Sequence, residues 1–217
     1  MKRLIENGPL TVSYETPTQT RAIESLLDTS FGAKRQQKVS YRYRDGVAPL
    51  PELCFTALKE DTLVGTVRHW PLTLTGCDLP AVLLGPIAVD PTVRDMGVGA
   101  GLMGTAIAHA RAMGRHMILL VGDPDYYERF GFLPAEQFGL TMPGEQPHRV
   151  LVRPLTPEGW SLSSGGIILP VDHAPTGPEP LRARLSQRRR VRLQTSTGAA
   201  LGPDTGPSQT GAVILHA

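Results

Sequence analysis

The 217-residue sequence has few of the features that mark secreted, metal-binding or membrane-spanning proteins. Its two cysteines, Cys54 and Cys77, show no Cys-x-x-Cys spacing, which argues against a disulfide framework or a zinc site and favours buried free thiols. The longest apolar run, 79–89, is broken by two prolines and a glycine and is too short to cross a bilayer. No apolar signal region follows the basic residues 1–3, so we expect a cytoplasmic protein.

Aromatic residues make up only 6% of the chain, and the net charge is +2. This near balance of charge argues against a dedicated nucleic-acid-binding protein. A hydrophobic content of 41% is typical of a globular domain, and 217 residues suffice for one domain with a sizeable core. No internal repeat is visible.

The composition changes at Pro170. Beyond it Pro, Gly, Ser and Thr dominate, and the segment contains six arginines and three acidic residues. We therefore predict a folded domain over 1–169 and a disordered extension over 170–217. The Arg188–Arg190 cluster has the charge to contact RNA, an anionic lipid or an acidic partner. A solvated tail with no specific role is the alternative, and both remain open.

Periodicity predicts α and β elements in alternation. Strands are predicted at 10–15, 53–58, 63–70, 72–75, 83–89, 117–121 and 150–152. Thr18 is predicted to cap a first helix that Gly32 closes, and a second short helix is expected within 35–44. Further helices are predicted after Gly99 and over 124–130.

The strand at 83–89 leads into a turn that contains Gly97 and Gly99, and a helical pattern follows. The first amides of a helix lack intrahelical partners, and the helix dipole adds positive charge there, so this order of elements predicts an anion site. A Walker A loop would need Lys-Ser/Thr after Gly99, where the chain has Ala100-Gly101. The glycine spacing also differs from a dinucleotide fingerprint.

The motif from Arg94 through Gly97 to Gly99, read as R-x-x-G-x-G, resembles the phosphate loop of the GNAT family of N-acetyltransferases. The segment 126–132, Tyr-Tyr-Glu-Arg-Phe-Gly-Phe, is similar to a second signature of that family, and Leu63-Val-Gly65 is similar to its usual strand. The resemblance covers roughly residues 10–155.

The resemblance implies an α/β fold in which a mixed, twisted sheet of six to seven strands carries helices on both faces. Strands 83–89 and 117–121 are expected to splay apart and admit acetyl-CoA as cosubstrate, with no metal. Residues expected to bind it are Ile87, Ala88, Val89, Arg94, Asp95, Met96, Gly97, Val98, Gly99, Ala100, Asp123 and Tyr126. The family's oxyanion donor is a backbone amide, which falls here within 87–89. Met96 and Asp95 depart from the basic or polar pattern of the family loop, and its usual asparagine before Tyr126 is absent.

Tyr127 falls on the family's general-acid position, from which its phenol would protonate the leaving thiolate. The alternatives are that Tyr127 only packs against the cofactor or that it is a core residue. The family's base varies in position, and Asp123, Glu52 and His69 are the candidates here.

Three functions are consistent with these motifs: an acetyl-CoA-dependent N-acetyltransferase acting on a small-molecule or protein amine, a non-catalytic acyl-CoA sensor, and an acyltransferase for longer chains. We expect an amine acceptor as partner, no membrane span, no nucleic acid except through the arginine-rich tail, and a monomer or homodimer. The basic and aromatic segment 35–44 either lines the acceptor groove or forms a solvated helix face.

Overall fold

Strands and helices alternate along the chain. The computed structural model describes residues 10–162 and 165–171, and only the backbone of Arg94 and Asp95. The strands are β1 Leu10–Tyr14, β2 Phe55–Lys59, β3 Thr62–Leu74, β4 Ala81–Val89, β5 Met117–Val121, β6 Leu133–Pro134, β7 Leu140–Thr141, β8 Val150–Pro154 and β9 Gly166–Pro170. The helices are α1 Thr20–Phe31, α2 Val39–Arg42, α3 Val98–Ala112, α4 Pro124–Tyr127 and α5 Pro157–Trp160. The predicted extension lies outside the described residues beyond position 171.

The strands form a mixed sheet in the order β1-β2-β3-β4-β5-β8-β6, with β9 along the end of β3 and β7 beside β9. The strands from β1 to β4 form an antiparallel meander, whereas β4 and β5 run parallel. Parallel neighbours need a crossover, and α3 provides it. The predicted mixed α/β sheet is therefore confirmed, and within the described residues the sheet has nine strands.

Three local predictions were wrong. The segments 63–70 and 72–75 are one continuous strand, β3, of 13 residues, because pairing with β4 continues through Leu72. The last strand among the described residues is β9, which pairs with the end of β3. Thr18 does not cap α1, because a 3₁₀ turn over Pro17–Gln19 comes first and α1 begins at Thr20.

Side chains alternate between the two faces of the central strands. On β5, Ile118 and Leu120 join the core beneath α3, while Met117 and Leu119 join a second core on the opposite face. Helix α1 packs on part of that opposite face through its apolar stripe, Ile23, Leu26 and Leu27. This alternation follows from the two-residue period of a strand, and it explains helices on both faces of one sheet.

Helix α3 lies close against β3 at Gly65. A Cβ built there would stand 2.9 Å from Leu102 Cδ1 and 3.0 Å from Val98 Cγ1. Glycine at this position therefore lets the start of α3 approach the sheet. The consequence for the site is that the N-terminus of α3 is held beside the end of β4.

Candidate active site

A gap opens between β4 and β5 after their first residues. The two strands pair only from Ala81 with Met117 to Leu83 with Leu119. Beyond that point β4 continues to Val89 with no β5 partner. In the facing strand β3 the register shifts between Val67 and His69, because β4 carries an extra residue around Gly85-Pro86. The splayed strand pair predicted from the sequence is present.

The backbone of β4 presents alternate amides to this gap. Asp90 N–H donates to Val64 O, 2.8 Å, and Val89 lies opposite Gly65. Because hydrogen-bonded pairs alternate in antiparallel strands, Ala88 is bonded toward β3, whereas the amides of Ile87 and Val89 point toward the gap. Of the three predicted strand positions, Ile87 and Val89 can donate to a ligand. Ala88 cannot, and its side chain packs against α1.

The N-terminus of α3 provides the second group of free amides. Gly97 has a left-handed conformation with φ 74°, and the first intrahelical bond runs from Gly101 N–H to Gly97 O, 2.9 Å. The amides of Val98, Gly99 and Ala100 therefore have no partner within the helix. Arg94, Asp95 and Met96 lie in the preceding 3₁₀ turn, Pro91–Met96, where Met96 is exposed.

Both groups of amides lie close together. A Cβ built on Gly99 would stand 3.5 Å from Val89 Cγ2 and 3.4 Å from the Tyr126 hydroxyl. The space over Gly97 is open. An elongated ligand with an anionic group fits this arrangement, its anion at the helix terminus and its chain along the outward amides of β4.

A cavity of about 640 Å³ occupies the gap, and we call it the transfer cavity. Its wall includes four residues from β4, Leu84 to Ile87, and four that follow one another at the end of β5, Leu120 to Asp123. Tyr126, Tyr127, Arg44, Glu145 and Arg149 also line it. A volume of this size is typical of a small-molecule site.

Tyr127 lies against the backbone at the end of β5. A Cβ built on Gly122 would stand 2.2 Å from Tyr127 Cε2, so only glycine leaves room for the ring. Among the described residues the Tyr127 hydroxyl has no hydrogen-bond partner, which leaves it free to donate to a ligand. Burial, reinforced by the neighbouring Tyr126, raises the pKa of Tyr127 to about 12. The phenol is thus protonated at any physiological pH.

Tyr126 and Asp123 flank Tyr127 in different roles. Tyr126 is 40% exposed and packs edge-on against Tyr127. The Arg129 guanidinium lies over the Tyr126 ring, 4.0 Å from its centroid. Asp123 caps α4 by accepting a hydrogen bond from Asp125 N–H, 3.2 Å. Both residues nevertheless line the transfer cavity.

The three candidate bases lie at two places in the fold. Asp123 follows β5, whereas Glu52 lies near His69, because Leu50 and Leu53 on either side of Glu52 both hydrogen-bond to His69. Only Asp123 lines the transfer cavity. Glu52 lies 3.6 Å from the Arg115 guanidinium, at the end of the sheet where α3 terminates. His69 is fully buried, its Nδ1 lies 2.7 Å from Leu53 O, and burial lowers its pKa to about 4. Neither Glu52 nor His69 is therefore placed to accept a proton in the cavity.

Two charged cavity residues, Glu145 and Arg149, were missed by the sequence reasoning. Arg44 lies in the segment 35–44, for which lining the acceptor groove was one of two predicted roles. Glu145 comes from the loop after β7, Arg149 precedes β8, and Arg44 follows α2. No local spacing connects them with the glycine turn, because the fold brings them together from separate loops. Only the basic character of 35–44 pointed toward Arg44.

These features describe a site for an elongated ligand with an anionic group, and comparison with known sequences gives the family. The family model described as "Acetyltransferase (GNAT) domain" matches residues 11–135. The chain therefore belongs to the GNAT acetyltransferase family, as the two motifs indicated.

Two curated relatives from Escherichia coli K12 carry the names uncharacterized N-acetyltransferase YjhQ and YhbS. YjhQ is 33% identical over 115 residues, which cover 52% of this chain and 64% of YjhQ. YhbS is 30% identical over 122 residues, which cover 56% of this chain and 72% of YhbS.

Solved structures agree in fold. The crystal structure of Escherichia coli YhbS in complex with CoA has a TM-score of 0.64 and 26% identity, covering 74% of this chain and 88% of that one. A GNAT family acetyltransferase from Brucella melitensis in complex with acetyl-CoA has a TM-score of 0.57 and 19% identity, covering 76% and 97%. The first relative holds CoA on a similar fold, and the second supports the fold alone.

Within the described residues, no helix has the length and apolar character needed to cross a membrane. The same part of the chain contains no group of three or more metal-ligating side chains.

Proposed function

We propose that the protein is an acetyl-CoA-dependent N-acetyltransferase that transfers an acetyl group to an amine. Support comes from the family, from the CoA held by YhbS, and from one observation in this chain. That observation is the Tyr127 phenol, whose hydroxyl has no hydrogen-bond partner among the described residues. It lies on a cavity between two splayed strands and close to the N-terminus of α3.

The residues present fit acetyl-CoA. The amides of Val98, Gly99 and Ala100 would hold its pyrophosphate, and the outward amides of Ile87 and Val89 would hold its pantetheine arm and polarise its carbonyl. Arg94, Asp95, Met96 and Gly97 shape the turn before the helix. Tyr126 would close one side of the cradle, and Asp123 lies at its edge. When bound, acetyl-CoA supplies a thioester carbonyl that an amine can attack.

Transfer forms a carbon–nitrogen bond and breaks a carbon–sulfur bond, so one proton leaves the amine and one is needed by sulfur. The amide of Ile87 or Val89 stabilises the negative charge that develops on the carbonyl oxygen. Tyr127 donates its phenolic proton toward the departing sulfur and is reprotonated from the open cavity. Asp123 and Glu145 are the carboxylates on the cavity wall that can accept the amine proton, directly or through water.

Tyr127→Phe tests this assignment because it removes one oxygen and keeps the ring. General acids contribute about 10²- to 10⁴-fold, so we expect kcat to fall by about 10²-fold or more while the affinity for CoA is retained. CoA release from acetyl-CoA in the presence of amine acceptors measures kcat, and calorimetric titration measures binding.

The matched control is Tyr14→Phe, on the exposed face of β1 and outside both strands of the gap. An unchanged kcat in Tyr127→Phe would assign the residue to packing. CoA binding without transfer to any amine would favour a sensing function, and preference for acyl chains beyond propionyl would favour a longer-chain acyltransferase.

A further inference from the structure

A second cavity of about 450 Å³ adjoins the transfer cavity, and we call it the side cavity. Tyr41, Arg44 and Pro86 line both. The shared wall lies next to the bulge in β4, so a molecule in the side cavity can extend into the place where transfer would occur. The amides of β4 and of the N-terminus of α3 would be covered by acetyl-CoA. The acceptor amine must therefore reach the thioester from another side, and the side cavity offers one.

Four arginines line the side cavity. Arg42 is exposed, and the other three differ in how their charge is compensated. Arg35 pairs with Glu24 and with Asp28, and Arg68 pairs with Glu15 at 2.6 Å and with Glu24 at 2.8 Å. Carboxylates of the protein neutralise both guanidiniums, so neither needs an anionic ligand to balance its charge. Glu24 is paired with both of these arginines. The other carboxylate that lines the side cavity is Asp45.

Arg44 has no ion pair among the described residues. Its guanidinium lies instead over two aromatic rings, 4.4 Å from the centroid of Tyr41 and 5.2 Å from that of Trp70. Its Nε and Nη1 atoms are buried without a hydrogen-bond partner. Burial lowers the pKa of Arg44 to about 10, although the group stays charged at neutral pH. Arg44 is therefore a half-buried cation with two buried donor atoms that have no partner among the described residues, and an anion bound there would satisfy them.

Arg44 also lies close to the reacting end of the site. A Cβ built on Gly85 would stand 3.3 Å from Arg44 Nη2. Gly85 precedes Ile87 by two residues, so their Cα atoms are at most about 7 Å apart. An anionic group at Arg44 therefore leaves the rest of a small molecule within reach of the acetyl carbonyl expected at Ile87.

We infer that Arg44 binds a carboxylate of the acceptor, so that the substrate class is a small amine that also carries a carboxylate, such as a free amino acid. The inference rests on the proposed acetyl transfer. A guanidinium is suited to carboxylate oxygens by charge and by its planar array of donors, and the two cavities have the size of a small-molecule site.

The test compares free amino acids with their own carboxamides as acceptors, in wild-type protein and in Arg44→Gln, Arg44→Lys and the control Arg21→Gln. Arg21 is exposed on α1 and lines neither cavity, so its variant matches the change of charge. Wild type and Arg21→Gln should both prefer the carboxylate of a pair. In Arg44→Gln, KM for the carboxylate should rise about 30-fold or more, while kcat/KM for the carboxamide changes little. Arg44→Lys should recover part of the preference.

The carboxylate-to-carboxamide ratio is measured within each variant, so partial loss of folded protein leaves it unchanged. Equal use of carboxylates and carboxamides by wild type, or an unchanged ratio in Arg44→Gln, would overturn this inference and leave acetyl transfer standing. Transfer to protein amines alone would also overturn it. No transfer to any amine would remove the proposed function as well.

Discussion

His69 is a buried imidazole that serves the fold rather than the chemistry. It lies on β3 with no exposed surface, and its Nδ1–H donates to Leu53 O at 2.7 Å. Its Nε2 is buried with no hydrogen-bond partner among the described atoms. Because burial disfavours the charged ring, its pKa falls to about 4 from the ordinary 6.5.

This depressed pKa predicts a loss of stability in mild acid. In the unfolded chain His69 binds a proton as the pH falls below 6.5. In the folded chain it binds a proton only when the pH falls to about 4. The stabilisation is therefore complete above pH 6.5 and is lost as the pH falls to 4, by at most about 3 kcal/mol. Denaturant unfolding at several pH values measures it.

His69→Asn should flatten that dependence, since an amide N–H can still donate to Leu53 O but does not titrate. His148→Asn is the matched control, because His148 is exposed. The same acid sensitivity in His69→Asn and in wild type would show that other groups cause it.

At the scale of elements, the junction of β5 and α4 shows what the sequence could predict. The strand, the short helix after it and the adjacent Tyr126 and Tyr127 follow from local pattern and from the family signature. The contact of Gly122 with the Tyr127 ring does not, because it depends on how α4 folds back on β5. In the same way, Arg44 and Glu145 reach the cavity through tertiary packing, which leaves no spacing in the sequence.

Gly122→Ala should damage the site through this junction. The added Cβ would stand 2.2 Å from Tyr127 Cε2, so the ring must move. We expect kcat to fall at least about 10-fold and the free energy of unfolding to fall by about 1–3 kcal/mol, as for overpacked positions. Activity and denaturant unfolding of one preparation measure both.

Gly104→Ala, in the exposed part of α3, is the matched control. No atom lies within 4 Å of a Cβ built there, so alanine should raise the free energy of unfolding by about 1 kcal/mol without changing kcat. An active Gly122→Ala variant of normal stability would contradict the described contact.

At the scale of the whole molecule, one sheet separates two cores and is left open where β4 and β5 part. The apolar runs at 83–89 and 117–121 predicted the central strands, and the glycine turn predicted an anion site. The mixed sheet and the binding of acetyl-CoA were implied by the resemblance to the GNAT family. Strand β9 and the continuous β3 were not predicted. Residues 72–74 pair with residues 168–170, and a local sequence pattern does not indicate pairing between segments nearly a hundred residues apart. The boundary predicted at 169/170 falls one residue before the end of β9 and stays a prediction.

Calorimetric titration of the full chain with acetyl-CoA tests the central claim most directly. Wild type and Gly104→Val should bind with a Kd in the region of ~1 μM, about −8 kcal/mol, whereas Gly99→Val should bind at least about 10-fold more weakly because its side chain enters the cradle beside Val89 and Tyr126. No saturable binding by wild type, or equal affinity in the two valine variants, would contradict the assignment of the β4–α3 junction as the acetyl-CoA site.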